Sequence, residues 1–289
     1  MLSINPLKGA SFGAEATGVD IAQGLGDEVL KSLAEAVHEH RLLVIRGQRM
    51  SEDRYLGFGR WWGEPIPHVL DHLRMPGYPE MMAIGNHGGE WKENDAVRNG
   101  AAFWHTDQSY EAVPSSVTML FSIKSPETGG ETQLADLKSA YDELPGEMKQ
   151  RLEGRRAWHL YGASSGEGDE AVANPLITND QIARVPAVPH LIVRPHDITG
   201  RRTLYGVAGT PYAIEGMDEE EGTEILKELK RHVLQERFIY RHRYRVGDIA
   251  IYDTTQTLHS GTPIGPATDE RNTRLLWRIS VRGKPRAWH

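Results

Sequence analysis

Apolar and polar positions repeat along the chain with two different periods, and the longer period predicts helices. Apolar residues three and four positions apart follow Asp27, follow Ser51 and recur between Met217 and Phe238, so each set lies on one side of a helix. Asp27 and Ser51 are residue types that cap helix N-termini, which indicates that the first two helices begin there. Asp136 predicts a further cap, ahead of a segment that Pro145-Gly146 breaks.

A period of two, in which alternate residues share a face, predicts the strands. The first predicted strand is buried and ends at Gly47, and the second stops before Pro126. Helices and strands alternate irregularly without an internal repeat or a linker, so we expect a single domain over residues 1–289. The segments with strand character are Arg41–Arg46, Ser116–Lys124, Phe238–Asp253 and Thr273–Arg282.

The composition is that of an ordinary globular protein, with 25% charged and 39% hydrophobic residues among 289. A net charge of -7 argues against a nucleic-acid-binding surface, and no apolar run is long enough to cross a membrane. The first residues lack the features of a secretory signal, so we expect a cytoplasmic protein, which is free to form a homo-oligomer. Because the chain has no cysteine, any metal must be held by nitrogen and oxygen ligands.

The main chemical signal is the segment Trp104-His105-Thr106-Asp107 together with the distant His259. In an extended strand His105 and Asp107 point to the same side, so both can bind one cation. Two imidazoles and one carboxylate leave coordination positions open, which suits non-haem iron(II), although zinc is a chemical alternative. A His-x-Asp tripeptide also occurs by chance, so the prediction depends on the residues that accompany it.

Two arginines share one face of the last predicted strand. Arg274 and Arg278 alternate there with Leu276 and Ser280. One interpretation is a solvated charged face, because arginine is mostly exposed in folded proteins. The other is an inward-facing anchor, since a guanidinium binds a carboxylate through two hydrogen bonds and suits an acidic co-substrate beside the metal.

With these residues in view, the chain resembles the taurine/2,4-dichlorophenoxyacetate (TauD/TfdA) family of iron(II)- and 2-oxoglutarate-dependent dioxygenases. The resemblance covers most of the chain, and the second half is closer to the aryloxyacetate branch. Its motifs are Leu43-Val44-Ile45-Arg46-Gly47-Gln48, Trp104-His105-Thr106-Asp107, Gly129-Gly130-Glu131-Thr132, Ala140-Tyr141, Leu144-Pro145, Tyr240-Arg241-His242-Arg243, Gly247-Asp248, His259 and the pair Arg274 and Arg278.

The resemblance implies a fold and a set of cofactors. The expected fold is of the α+β or mainly β class, a double-stranded β-helix (jelly roll, cupin-like) core flanked by helices. The expected metal is Fe(II), bound by the catalytic residues His105, Asp107 and His259, with 2-oxoglutarate and O2 as co-substrates. Thr132 and Arg274 would bind the distal carboxylate of 2-oxoglutarate.

The implied reaction is hydroxylation of a C–H bond in a small organic substrate, with succinate and CO2 as co-products. The intact carboxylate of Asp107 favours hydroxylation over halogenation, while desaturation or another iron-driven oxidation stays open. Arg278 and His68 would contact the substrate and favour an anionic one. Ala101 and Asp71 depart from the taurine-binding pattern, so taurine is not the expected substrate.

Two alternatives belong to other functional classes. One is a non-catalytic jelly-roll protein that binds metal for stability or sensing, which would have no anchor for 2-oxoglutarate. The other is a zinc hydrolase with the same three ligands, which would need a general base beside a metal-bound water.

Two further segments have open interpretations. Residues 163–180 are rich in serine, glycine and acidic residues, and we expect either a mobile loop near the pocket or a surface loop without a role. Arg241, Arg243 and Arg245 alternate with aromatic and histidine residues, which indicates one face of a strand rather than a nucleic-acid-binding patch.

Overall fold

The structure is a computed structural model that describes residues 1–87, 94–162 and 177–288. Within these ranges the helices are α1 (Asp27–His40), α2 (Glu52–Trp62), α3 (Asp95–Arg98), α4 (Leu137–Asp142), α5 (Gly146–Leu152), α6 (Asn179–Arg184) and α7 (Glu219–Val233). The strands are β1 (Ser3–Pro6), β2 (Ala14–Thr17), β3 (Leu42–Ile45), β4 (Glu64–Pro65), β5 (Arg74–Met75), β6 (Tyr78–Gly85), β7 (Val117–Lys124), β8 (Thr132–Asp136), β9 (Arg156–His159), β10 (Val188–Leu191), β11 (Val193–Pro195), β12 (Arg202–Leu204), β13 (Pro211–Ile214), β14 (Ile239–His242), β15 (Ile249–Asp253), β16 (Thr257–Gly261) and β17 (Leu275–Arg282).

Two sheets organise the site. The larger runs in the order β1-β2-β3-β15-β7-β17-β6-β5, with β4 beside β17, and the smaller in the order β14-β8-β16. Pairing is antiparallel except between β2 and β3. This arrangement, with helices packed outside, confirms the predicted jelly-roll fold.

Apolar side chains fill both faces of the larger sheet. On one face α1 and α2 contribute Leu33 and Tyr55, which pack in one buried cluster with Ile251 and Ile279 of the sheet. On the other face Leu120, Leu276 and Tyr252 pack with Leu134 of the smaller sheet. The strands that carry the candidate residues are therefore held from both sides, because burial of this apolar surface is the main stabilising contribution.

The predicted strand at Arg41–Arg46 is confirmed, since all four residues of β3 are buried. The cap at Ser51 is confirmed as well, because its side chain accepts a hydrogen bond from the Arg54 amide. Asp136 caps α4 in the same way, through the amides of Lys138 and Ser139. These elements depend on local periodicity and cap chemistry, which a sequence displays directly.

Other local predictions need correction. The N-cap of α1 is Gly26, and Asp27 is the first helical residue, where its charge lies near the positive end of the helix dipole instead of capping. The helix expected between Met217 and Phe238 is shorter, because Asp218 caps α7 and a separate 3-10 turn forms at Glu236–Phe238.

The two open segments have different outcomes. Most of the predicted loop at 163–180 lies outside the described residues, and within its last part Thr178 caps α6. Arg241 is exposed in β14 and pairs with Glu236 at 2.8 Å, but β14 ends at His242, so Arg243 and Arg245 are exposed residues beyond the strand and the predicted strand is too long. Among the described helices, none combines the length and the apolar character that crossing a membrane requires.

Burial of His159 makes the stability of the fold depend on pH. This side chain in β9 is fully buried, and its Nδ1 lies 2.8 Å from the Thr210 hydroxyl. Burial and, to a smaller extent, the neighbouring His190 lower its pKa to about 3. The folded pKa is below the unfolded value of about 6.5, so the histidine costs no stability above pH ~6.5 and progressively more as the pH falls below it.

We therefore predict that His159→Asn weakens the acid sensitivity of unfolding. Between about pH 4 and pH 6, the free energy of unfolding should vary less steeply than in the wild type, by up to about 1.4 kcal/mol per pH unit. Urea unfolding across this range measures the slope. The control His72→Asn removes an exposed histidine, and equal slopes for His159→Asn and the wild type would refute the prediction.

Candidate metal and co-substrate site

Backbone pairing brings the two histidines together. His105 and His259 form an isolated antiparallel bridge in which each amide donates to the other residue's carbonyl oxygen at 2.9 Å. His259 lies in β16, but the predicted strand around His105 is limited to this bridge, and Asp107 begins a turn. The strand prediction is therefore wrong in extent, although His105 and Asp107 still converge.

The three candidate ligands leave a gap of suitable size for a cation. His105 Nε2 lies 3.8 Å from Asp107 Oδ1, and His259 Nε2 lies 3.6 Å from Asp107 Oδ2. These separations are too long for hydrogen bonds and agree with ligand atoms arranged around one ion. Nitrogen and carboxylate oxygen are a donor set that suits iron(II).

The histidines present neutral nitrogen to that gap. His105 Nδ1 lies 2.8 Å from the Phe103 carbonyl oxygen and must donate to it, so the lone pair is on Nε2. Burial and, to a smaller extent, the neighbouring His105 lower the pKa of His259 to about 3, so this imidazole is neutral at physiological pH. Both rings therefore meet the requirement for binding a metal ion.

Asp107 is surrounded by hydrogen-bond donors. Arg278 Nη2 donates to Oδ1 at 2.6 Å, while the hydroxyls of Thr118 and Tyr252 donate to Oδ2 at 2.8 and 3.3 Å. Burial acts to raise the pKa of Asp107, but Arg278 and His259 outweigh it and hold that pKa well below its usual range. The carboxylate is thus ionised and fixed in orientation.

Arg274 forms a second cationic position. Its side chain is buried, its Nε has no hydrogen-bond partner, and none of the carboxylates in the described parts of the chain forms a salt bridge with it, although Glu131 lies near enough to favour its charged form. Close by, the Thr132 hydroxyl lies 3.0 Å from the Tyr244 hydroxyl, and a Cβ on Gly130 would lie 3.0 Å from Arg274 Cδ. Burial lowers the pKa of Arg274, yet an arginine stays charged at physiological pH, so the site suits a carboxylate ligand.

His68 and two tyrosines lie on the Arg278 side of the site. His68 Nδ1 accepts a hydrogen bond from the Leu70 amide at 3.2 Å, which leaves the proton on Nε2. Burial and, to a smaller extent, the positive charge of Arg278 lower the pKa of His68 to about 3, so this residue offers a hydrogen-bond donor without a charge. The ring of Tyr161 contacts both His68 and Tyr110 edge-on, with centroids 6.3 and 4.8 Å apart.

The structure thus brings together the seven residues that the sequence singled out into two neighbouring groups. The metal candidates and the Arg278 side are in contact through Asp107. Arg274 lies one residue before β17, the strand that carries Arg278, so the predicted strand that holds both arginines is shorter than expected. Sequence reasoning missed Thr118, Tyr252 and Gly209. Hydroxyl residues are common in strands, so Thr118 and Tyr252 carry no distinctive signal. The only signal at Gly209 is that glycine can adopt a positive φ, and most glycines in the chain share that property.

Comparison with known proteins places this geometry in context. Residues 3–280 match the family model described as taurine catabolism dioxygenase TauD, TfdA family. The chain is 33% identical over 270 residues to the alpha-ketoglutarate-dependent 2,4-dichlorophenoxyacetate dioxygenase of Cupriavidus pinatubonensis, covering 89% of this chain and 91% of the relative. It is also 27% identical to the pentalenolactone F synthase of Streptomyces avermitilis, covering 100% of this chain and 97% of the relative.

Solved structures agree with the fold. The crystal structure of a putative alpha-ketoglutarate dependent 2,4-D dioxygenase from Burkholderia xenovorans matches with a TM-score of 0.78 and 26% identity. The match covers 97% of each chain. The likeness therefore extends over nearly the whole chain.

Gly209 supplies a test of the metal geometry. It has φ +91°, and a Cβ there would lie 2.7 Å from His105 Cβ. We predict that Gly209→Ala displaces His105 and weakens binding of Mn(II) or Co(II) by about tenfold or more. Isothermal titration calorimetry measures this affinity. The control Gly200→Ala has a similar strain, φ +69°, with no atom within 4 Å, and equal metal affinity in both variants would contradict the prediction.

Proposed function

The chain belongs to the TauD, TfdA family of dioxygenases, and from this premise we propose that it hydroxylates a C–H bond of a small, anionic and partly apolar organic acid. The family's iron(II), 2-oxoglutarate and dioxygen together supply an oxidant that inserts one oxygen atom into the substrate and one into succinate, with loss of CO2. The observation that carries the proposal is the open group of His105, Asp107 and His259, with the buried Arg278 in contact with Asp107 and a second buried arginine, Arg274, four residues earlier in the chain.

We assign the metal to His105, Asp107 and His259. The Asp107 carboxylate supplies the negative charge that a divalent cation needs, and the two neutral imidazoles complete the protein ligand set. Thr118, Tyr252 and Arg278 hold the carboxylate in one orientation. Their part in the reaction is to keep this ligand in place while the remaining positions on the metal stay accessible.

Arg274 and Thr132 are assigned to the distal carboxylate of 2-oxoglutarate. A buried guanidinium without a salt bridge is costly, and a bound carboxylate would reduce that cost. The Thr132 hydroxyl lies 3.0 Å from the Tyr244 hydroxyl, and with Tyr244 as the donor in that bond the Thr132 proton is available to the carboxylate. Anchoring one carboxylate of the co-substrate fixes the position of its other end, which is how a remote anchor contributes to catalysis.

Arg278 and His68 are assigned to the anionic group of the substrate. The guanidinium donates one N–H to Asp107 and another to Met82 Sδ at 2.9 Å. Its remaining N–H groups are available to a substrate carboxylate. His68 Nε2 adds an uncharged donor. Tyr110, Tyr161 and Val69, which belong to one apolar cluster, would pack against the rest of the substrate.

Two relatives support a substrate of this kind. One is named for 2,4-dichlorophenoxyacetate, a carboxylate by its name, and the other is named as a synthase of pentalenolactone F, so both names refer to small organic compounds. Family membership also argues against the non-catalytic metal protein and the zinc hydrolase that the sequence left open. Hydroxylation adds an oxygen atom to the substrate and desaturation removes two hydrogen atoms from it, so product analysis separates the two reactions.

The first test is formation of succinate from 2-oxoglutarate with Fe(II), ascorbate and air. We predict that a member of a panel of aryloxyalkanoates, sulfonates, acyl amino acids and other small acids stimulates succinate formation, and that His259→Ala abolishes it. Mass spectrometry of the product should then show the gain of one oxygen atom. Stimulation by neutral compounds alone would contradict the anionic-substrate proposal, and loss of two hydrogens would identify desaturation.

The second test separates the two anion sites. We predict that Arg274→Ala raises the KM for 2-oxoglutarate by roughly 10- to 100-fold, because a charge-assisted pair contributes about 1.5–3 kcal/mol. His68→Leu should instead raise the KM for the prime substrate and leave that for 2-oxoglutarate nearly unchanged. Both are read from steady-state kinetics at saturating iron, and equal effects of either variant on the two constants would refute the assignments.

A further inference from the structure

A second buried group of two histidines and one carboxylate lies away from the proposed metal site. It consists of His38 in α1, His196 after β11 and Asp253 at the end of β15, with 2%, 5% and 0% of their surfaces exposed. The residue types are those of the proposed iron ligands. Whether this group binds a metal or does something else depends on its geometry.

The geometry is that of a closed hydrogen-bonded cluster. His38 Nδ1 lies 2.7 Å and His196 Nε2 2.9 Å from the same oxygen, Asp253 Oδ2. The corresponding distances at the proposed iron site are 3.8 and 3.6 Å. The shorter distances are hydrogen bonds and leave no room for a cation between the ligand atoms.

The protonation of His196 leads to the same conclusion. Its Nδ1 accepts hydrogen bonds from the backbone amides of Ile198 and Thr199, at 3.3 and 3.0 Å. The proton is therefore on Nε2, which points at Asp253, and this nitrogen has no lone pair to offer a metal. We refer to His38, His196 and Asp253 as the closed cluster.

Asp253 organises the turn between β15 and β16. Its Oδ1 accepts from the Thr255 amide and hydroxyl at 2.9 and 2.5 Å, and its Oδ2 also accepts from Gln256 Nε2 at 3.0 Å. Its carbonyl oxygen accepts from the Thr257 hydroxyl at 2.7 Å. Burial acts to raise the pKa of Asp253, but His196 and His38 outweigh it and hold that pKa well below its usual range.

The turn leads directly into β16, the strand that carries His259. Thr257 is the first residue of β16, and His259 follows two residues later on the same strand. Gln256 also donates to the His38 carbonyl oxygen at 3.0 Å, so α1 and the turn are joined twice. A shift of this turn would therefore move β16, and with it the ring of His259 relative to Asp107.

We propose that His38 and His196 are positioning residues that act through Asp253 to hold His259 in place for metal binding. The proposal rests on the assignment of His259 as a metal ligand. A buried carboxylate is tolerated only while donors satisfy its lone pairs, so loss of either imidazole donor would leave Asp253 under-satisfied and favour rearrangement of the turn. Such a rearrangement opens the metal site even though none of its ligands has changed.

The test is metal titration of the purified protein by isothermal titration calorimetry with Mn(II), below the unfolding temperature of each variant. His38→Leu should weaken Mn(II) binding by about tenfold or more. His38→Asn, which keeps a donor at the Nδ1 position, should restore most of the affinity. His196→Leu and His196→Gln form the equivalent pair for the Nε2 donor, and the absorption spectrum of bound Co(II) should change in both leucine variants.

Val37→Ala is the control for stability alone. Val37 precedes His38 in α1 and is fully buried in the apolar core. Its side chain is a hydrocarbon and cannot donate a hydrogen bond to Asp253. This variant should lower the unfolding temperature and leave Mn(II) affinity within about twofold of the wild type. If His38→Leu does not fold, Thr257→Val, which removes only the hydroxyl bond to Asp253, should still weaken Mn(II) binding by roughly two- to tenfold.

Three outcomes are distinguishable. Failure of the wild type to bind Mn(II), or undiminished binding by His259→Ala, would overturn the metal assignment itself. Wild-type affinity in His38→Leu and His196→Leu, or a loss equal to that in Val37→Ala, would overturn the positioning role. A second bound Mn(II) that persists in His105→Ala and disappears in His38→Leu would show that the closed cluster is a metal site and would also overturn the proposal.

Discussion

A buried carboxylate that must stay ionised is the constraint on which the rest of this structure depends. Asp107 is 5% exposed, and an ion taken out of water at that depth is unstable unless its oxygens are hydrogen-bonded and its charge is compensated. Arg278 supplies the charge, and Thr118 and Tyr252 supply neutral donors. A divalent cation between Asp107 and the two histidines would complete the compensation, so a site built to keep Asp107 ionised is also one that attracts a metal.

The jelly roll is suited to this task because it delivers side chains from distant parts of the chain to one point. Arg278, Thr118 and Tyr252 come from adjacent strands β17, β7 and β15 of the larger sheet. His259 comes from the smaller sheet, and its bridge to His105 positions the loop that carries Asp107. Apolar packing between the two sheets holds these strands in register, so the polar contacts of the site rely on a rigid frame.

The sequence allowed prediction of the elements with strong local signals and of the residues with distinctive chemistry. The buried strand β3 and the Ser51 cap follow from periodicity and residue type, whereas β17 begins one residue after Arg274 and so carries only Arg278 of the two arginines. His105, Asp107, His259, Arg274 and Arg278 could be singled out because together they resemble the motifs of one family, although each of these residues alone has a common structural explanation. Their convergence in the fold agrees with the prediction, while their roles remain proposals.

The rest could not be predicted, because it depends on contacts between residues far apart in the sequence. Tyr252 meets Asp107 across 145 positions, and His38 meets Asp253 across 215. Neither tyrosine nor histidine has a local pattern that reveals such a partner. The distinction between an open and a closed group of two histidines and a carboxylate rests on about 1 Å of separation, which sheet pairing and turn geometry determine.

A crystal structure of the protein grown with Mn(II), with anomalous diffraction measured at the manganese absorption edge, tests the central claim most directly. The account predicts one strong anomalous peak per chain, bonded to His105 Nε2, His259 Nε2 and an oxygen of Asp107, with Arg278 beside the same carboxylate. A peak among His38, His196 and Asp253, or none at His105, would contradict it.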